Sequence, residues 1–360
     1  MTQPSNSNEV SHSTDTLRSL SRALENEATS DIEMPSTTLG LWLRVRSSLA
    51  LPVIIVIVIF TLIGETQNSY FLSEATWVNI LTSASFTSIV ACFEGLVLIS
   101  GGLDLSVGAV FLAGAMSAAE LVQMGQSDIV AILGALLVGA VVGGINGTLA
   151  NYVGISPIIA TLGTLFCVTA IVTTRSGGLS IGPLPNRFTA ISNSSWGPIP
   201  MVVFIAIGVA LVAHILLRYS TFGIKVRAIG GNRVAVESLG LNARRISVII
   251  YVVTGMAAAF SGVLEASYLG AGSPTFGSDL ELQVIAAVVI GGVSVFGAVG
   301  DVSGMILGSI LLSLLTVGLL LLHFAGSMED FVVGLVMIVA VSIDRVRRSQ
   351  MFRVSKRRMK

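Results

Sequence analysis

Glu94 and Asp104 are the only acidic residues between Glu74 and Glu120, and they stand in "EGLVLISGGLDLSVGAVFLAG", residues 94–114, among aliphatic and small side chains. A carboxylate in such a run has three uses: it accepts hydrogen bonds from a hydroxyl-rich solute, relays a proton, or satisfies N–H groups at a helix start. At mid-helix in a bilayer a charge costs about 2.5–3.5 kcal/mol, so such residues mark pathways or pair internally. On a helix Thr87, Ala91, Glu94, Leu98 and Gly101 share one face, a stripe of small or polar positions suited to a bundle interior. Thr87, Ser88, Glu94 and Gly101 are therefore expected along a polar path. Gly101 and Gly102 end that helix. Asp104, followed by Ser106, then reads as the N-cap of the next helix, a structural role shared with Gly102. Asp301-x-Ser303-Gly304 echoes Asp104-x-Ser106-x-Gly108 and suggests an internal repeat.

Other chemistry is poorly supported. The chain contains no G-x-x-x-x-G-K-[ST] phosphate loop and no hydrophilic stretch large enough for a catalytic domain. His12, His214 and His323 lack metal-ligand spacing, and Cys92 and Cys167 sit in apolar runs as small hydrophobes. No metal, no bound cofactor and no enzymatic activity is expected. The formal net charge is zero, which gives no reason to expect nucleic-acid binding.

These residues must be positioned by membrane helices. The chain is 53% hydrophobic and 11% charged, with a mean hydropathy of +0.88, far outside the range of soluble domains. Ten apolar windows are long enough to be considered as spans: 47–64, 80–100, 105–124, 129–150, 156–174, 198–217, 246–268, 283–299, 303–322 and 329–344. The fold expected is an all-α polytopic membrane protein of about ten helices. Of 20 Lys and Arg residues, 4 precede the first window, 6 fall between Arg218 and Arg245, and 8 between Arg345 and Lys360. An even number of spans puts those 18 and both termini on the cytoplasmic side. Residues 1–46 then form a disordered cytoplasmic tail, 47–344 the transmembrane domain in the plasma membrane, and 345–360 a basic cytoplasmic tail. The loops 175–197 and 270–282 fall outside, where they can receive a partner.

The largest internal loop, 218–246, contains "GGNRVAVESLG". Gly230 and Gly231 are expected to break the chain, Asn232 to cap a short helix over 233–239, and Gly240 to stop it. Such a helix is either an amphipathic connector on lipid headgroups or a docking element for a cytoplasmic motor.

The ordered segments "LVLISGGLDLSVGAV" (96–110), "ISPIIATLGTL" (155–165), "FGIKVRAIGGN" (222–232), "GGVSVFGAVGDVSGMILG" (291–308) and "VSID" (341–344) resemble the membrane permeases of ribose/xylose/arabinose/galactose-type ABC importers. The resemblance covers roughly residues 47–345. It implies a subunit that pairs with a second permease copy, binds two cytoplasmic ATP-binding subunits that consume ATP, and receives a sugar-like solute from an extracytoplasmic binding protein. It also implies that Gly230, Gly231, Asn232, Glu237, Ser238 and Gly240 belong to the segment coupling the permease to its ATPase. Departures from the family pattern are Glu94 in place of Gln or Met, Thr169 in place of Arg, Glu237 in place of a basic residue, Ser238-Leu239 in place of Leu-Ser, Asp301 in place of a small polar residue, and Val317-Gly318 in place of Asn-Gly. The rival reading is a proton-coupled secondary carrier with Glu94, Glu265 or Asp301 as relay groups.

Overall fold

Long apolar runs fold as helices because a backbone withdrawn from water must satisfy its own N–H and C=O groups. The computed structural model describes residues 50–324 and, beyond them, 328, 331–335, 338, 339 and 342. In chain order the helices are α1 (Ala50–Gln67), α2 (Glu74–Ile99), α3 (Val107–Gln123), α4 (Asp128–Thr148), α5 (Pro157–Ser176), α6 (Asn186–Asn193), α7 (Met201–Tyr219), α8 (Thr221–Gly231), α9 (Arg233–Ser238), α10 (Ala243–Leu269), α11 (Leu280–Ile290) and α12 (Val302–Leu321). A π-helical turn, Leu149–Val153, extends α4. Among the described residues six helices, α2, α4 with its extension, α5, α7, α10 and α12, are long and apolar enough to cross a membrane, and α1, α3 and α11 are shorter apolar helices. Of the span expected over 329–344 only part is described, with 331–335 helical. The tails 1–46 and 345–360 lie outside the described residues.

The window 283–299 departs from expectation. Its helix, α11, has 11 residues and so a length of about 16 Å, half a bilayer core. Gly292, at φ +92°, ends it: Gly292 N–H donates to Val289 O at 2.9 Å and Val293 N–H to Val288 O at 3.1 Å. This pair of bonds is a Schellman closure, which turns the chain out of the helix. The segment from 291 to 300 continues without regular helix. The loop 175–197 contains α6, tied to α10 by Ser192 Oγ donating to Leu264 O and Ser267 Oγ donating to Phe188 O, both at 2.7 Å. After α6 a two-residue antiparallel hairpin, β1 (Ser195–Trp196) with β2 (Ile199–Pro200), leads into α7. The two loops expected outside are themselves joined by the Ile181–Gly272 bridge.

α2 is the axis of the bundle: from Ala84 to Ile99 every residue is buried, against α7, α10, α11 and α12. α10 crosses α3 and α4 at backbone contact. A Cβ on Gly139 would stand 2.3 Å from Gly255 O, and one on Gly143 2.2 Å from Tyr251 O. Small residues four apart allow this approach, and in lipid such close packing supplies much of the association energy between helices. α5 lies at the periphery with Ile159, Phe166 and Ile171 exposed, an apolar surface that water would disfavour and lipid accepts.

Candidate functional site

The end of α2 is built like that of α11. Gly101 (φ +84°) donates its N–H to Leu98 O and Gly102 donates to Val97 O, both at 2.9 Å, again a Schellman closure. The chain then folds back on α2, and Asp104 N–H donates to Glu94 Oε1 at 3.1 Å. Asp104 Oδ1 accepts from Ser106 N–H at 2.8 Å and from Ser106 Oγ at 2.6 Å. Ser106 Oγ accepts in turn from Asn146 Nδ2 of α4 at 2.7 Å, and Asn146 Oδ1 accepts from Thr164 Oγ1 of α5 at 2.6 Å. Leu105 N–H donates to Thr161 Oγ1, also on α5, at 3.1 Å, and Tyr251 OH of α10 donates to Leu103 O at 3.2 Å. Four helices thus converge on a seven-residue turn. Glu94, Asp104, Ser106, Asn146 and Thr161 are all at most 1% exposed. Buried polar groups at this density specify one arrangement, because each bond left unmade costs about 1–3 kcal/mol.

Asp104, expected to be the cap, sits two residues upstream of it. α3 begins at Val107 with Ser106 as the capping residue, and the Asp104 carboxyl takes the N–H of Ser106 itself rather than the free N–H groups of the first helical turn. Two residues of turn between Asp104 and the helix account for the displacement. Asp301 and Ser303 repeat the side-chain bond at 2.6 Å at the start of α12. With the paired Schellman closures, this relates α2–α3 to α11–α12 as the sequence echo suggests.

The residues expected along one polar stripe are dispersed. Ser88 lines a groove of about 440 Å³ between α2, α7 and α12, where Ser85, His214 and Ser303 supply the other polar groups. Thr87 and Glu94 are buried, Glu94 completely, and Gly101 is exposed in the turn. Glu94 Oε2 has no hydrogen-bond partner among the described residues. A smaller cavity, about 280 Å³ between α3, α4 and α5, is lined in part by Glu120 and Arg175, which form an ion pair at 2.7 Å. Asn146, Thr161, Thr164 and Tyr251 were not singled out from sequence. Their signal was an Asn inside an apolar run and two threonines three residues apart on one face of α5.

In the 218–246 loop the glycine pair does not break the chain. Gly230 and Gly231 are the last residues of α8, and a Cβ on Gly230 would lie within 1.8 Å of Ile99 O, so its small size serves contact with the end of α2. Asn232 caps α9, its Oδ1 accepting from Ala235 N–H at 3.0 Å, and Gly240 at φ +79° follows the helix. Arg233 links Glu237, at 3.2 Å, to Asn151 of the π-turn, at 3.0 Å. Glu237 and Ser238 remain exposed.

Comparison with known proteins identifies the family of this apolar helical bundle. The model of the family described as "Branched-chain amino acid transport system / permease component" matches residues 76–341. The chain is 30% identical to the D-allose transport system permease protein AlsC of Escherichia coli, over 81% of this chain and 90% of that one. It is 35% identical to the galactose/methyl galactoside import permease protein MglC of Haemophilus influenzae, over 78% and 89%, and 30% identical to the ribose import permease protein RbsC of Escherichia coli, over 85% and 95%. No solved structure matches. With the family model spanning most of the helices and the relatives aligned nearly end to end, the chain belongs to this permease family.

Proposed function

We propose that the chain is the transmembrane permease of an importer driven by ATP hydrolysis in separate subunits, and that its cargo is a sugar or similar polyhydroxylated solute. The observation that carries the reading is the resemblance in length and order to permeases named for D-allose, galactose and ribose. In this reading ATP is bound and hydrolysed by partners, since the sequence carries no phosphate loop of its own. In this reading two ATP-binding subunits dock on α8–α9, through Gly230, Gly231, Asn232, Glu237, Ser238 and Gly240, while a solute-binding protein docks on the joined outer loops and a second permease copy completes the path. The Asp104–Ser106 turn with Gly102 holds α2, α3, α4 and α5 in register. Ser88 reaches a groove in this conformation, and Thr87, Glu94 and Gly101 join the path as α2 shifts against its neighbours. Deleting the gene should abolish uptake of one sugar from a labelled panel, with uptake of the rest unchanged. Uniform uptake across the panel would count against the reading.

The same reading fixes the topology. Both termini and α8–α9 are cytoplasmic, with an even number of crossings between the tails. Single cysteines at the exposed positions Ser195 and Ser278 should react with an impermeant thiol reagent on intact cells. A cysteine at exposed Ser238 should react only after lysis. External labelling at Ser238 would invert the orientation and remove α9 as a docking element.

A further inference from the structure

We propose that Arg227 and Gly230 are positioning residues that transmit movement of α8–α9 to α2 and α12. The inference rests on the importer reading. Three contacts meet at the end of α2. Arg227 Nη1 donates to Gly300 O at 2.9 Å, immediately before α12. Ala298 N–H donates to Ile99 O, the last residue of α2, at 2.8 Å. Gly230 lies against both partners: a Cβ there would stand 1.8 Å from Ile99 O and 2.7 Å from Ala298 N. The turn that receives α8 is itself held in an unfavourable backbone region, with Ala298 at φ +69° beside Gly297 at φ +86°. A non-glycine residue there is strained and persists only where its surroundings fix it; here Ile99 and α8 do so.

The geometry has a mechanical consequence. α8 cannot slide past α2 without breaking the Gly230–Ile99 contact, because backbone meets backbone with no flexible side chain between them. It cannot tilt away from α12 without drawing Gly300 along through Arg227. A displacement imposed on α9 by a partner is therefore passed to the ends of two bundle helices, one of which carries Glu94 and Ser88. Packed elements with discrete arrangements carry such coupling, and measured coupling is the evidence that establishes it.

The test uses the complete transporter, reconstituted with its ATP-binding subunits and binding protein, with hydrolysis and uptake of its sugar measured in the same vesicles. Arg227→Gln should fold and assemble as wild type and hydrolyse ATP at a near wild-type rate, while uptake per ATP falls about tenfold, within the usual span of site-to-site coupling. Arg227→Lys, which keeps a donor for Gly300 O, should recover part of the loss. Gly230→Ala should uncouple at least as strongly where it folds; where it does not, the two Arg227 variants decide. Equal loss of hydrolysis and uptake in Arg227→Gln, or no loss in either, would overturn the inference. Absence of ATP-dependent uptake in wild-type vesicles would instead overturn the importer reading, and this inference with it.

Discussion

Gly143→Ala should sharply lower the yield of folded permease, whereas Gly144→Ala, one residue away on the same helix, should leave it unchanged. A Cβ on Gly143 would stand 2.2 Å from Tyr251 O, a backbone atom of α10 that no rotamer change can move aside. On Gly144 the nearest atom would be Val252 Cγ2 at 3.6 Å, an ordinary contact. Overpacking typically costs about 1–3 kcal/mol when side chains can yield. Here two helix axes must separate, and Gly139 and Gly255 in the same crossing would lose their close approach too, so the cost should reach the upper end or beyond. Tyr251 would also be displaced from Leu103 O, which transmits the damage to the Asp104 turn. Detergent-extracted protein scored by monodisperse yield and thermal midpoint measures both variants. Equal midpoints for the two would mean that the α4–α10 crossing is looser than its geometry states.

Asp104→Ala should be the most damaging single change in the polar turn, and Glu94→Gln among the mildest. Without the Asp104 carboxyl, Ser106 N–H and Ser106 Oγ lose their acceptor in a site closed to water, and Asn146 is bonded to that same serine and Thr164 to Asn146. An exposed cap contributes about 0.5–2 kcal/mol. Two buried donors without an acceptor raise the expected loss to roughly 2–5 kcal/mol. Glu94→Gln keeps an oxygen for Asp104 N–H and changes chiefly an atom, Oε2, that has no hydrogen-bond partner among the described residues, so folded yield should stay near wild type. Its effect should instead appear in uptake rate or in preference among sugars, because an intramembrane carboxyl reaches solute or proton only as the bundle rearranges. A stable Asp104→Ala protein would remove the turn from the account of stability. A Glu94→Gln protein that unfolds would show that the carboxyl serves packing alone.

Much of this was legible because hydropathy and glycine act locally. Eight apolar windows correspond nearly whole to helices of the bundle, since length and apolarity determine what can remain helical out of water. Asn232 and Gly240 were readable because capping depends on a few neighbouring residues. Failures occurred where long-range contact decides. Gly230 and Gly231 look like a break in sequence, yet α8 runs through them and presses Gly230 against Ile99, 131 positions earlier. The window at 283–299 has spanning hydropathy, but Gly292 closes the helix after Ile290. Thr87 and Glu94 share a helical face in projection; that face is enclosed because α7, α10, α11 and α12 surround α2, which no local pattern reveals, whereas Gly101 lies exposed in the turn beyond it. The glycines at 139, 143 and 147, spaced by four, carried a packing signal that becomes specific only with α10 opposite.

The central claim is that this chain conducts a sugar-like solute at the expense of ATP hydrolysed elsewhere. The most direct measurement is uptake of the sugar identified by gene deletion into vesicles containing the purified chain, with and without its ATP-binding subunits, under either ATP or an imposed proton gradient. Uptake is expected only when the ATP-binding subunits and ATP are both present, with the proton gradient ineffective. Uptake by the chain alone, driven by the proton gradient, would contradict it and identify a secondary carrier.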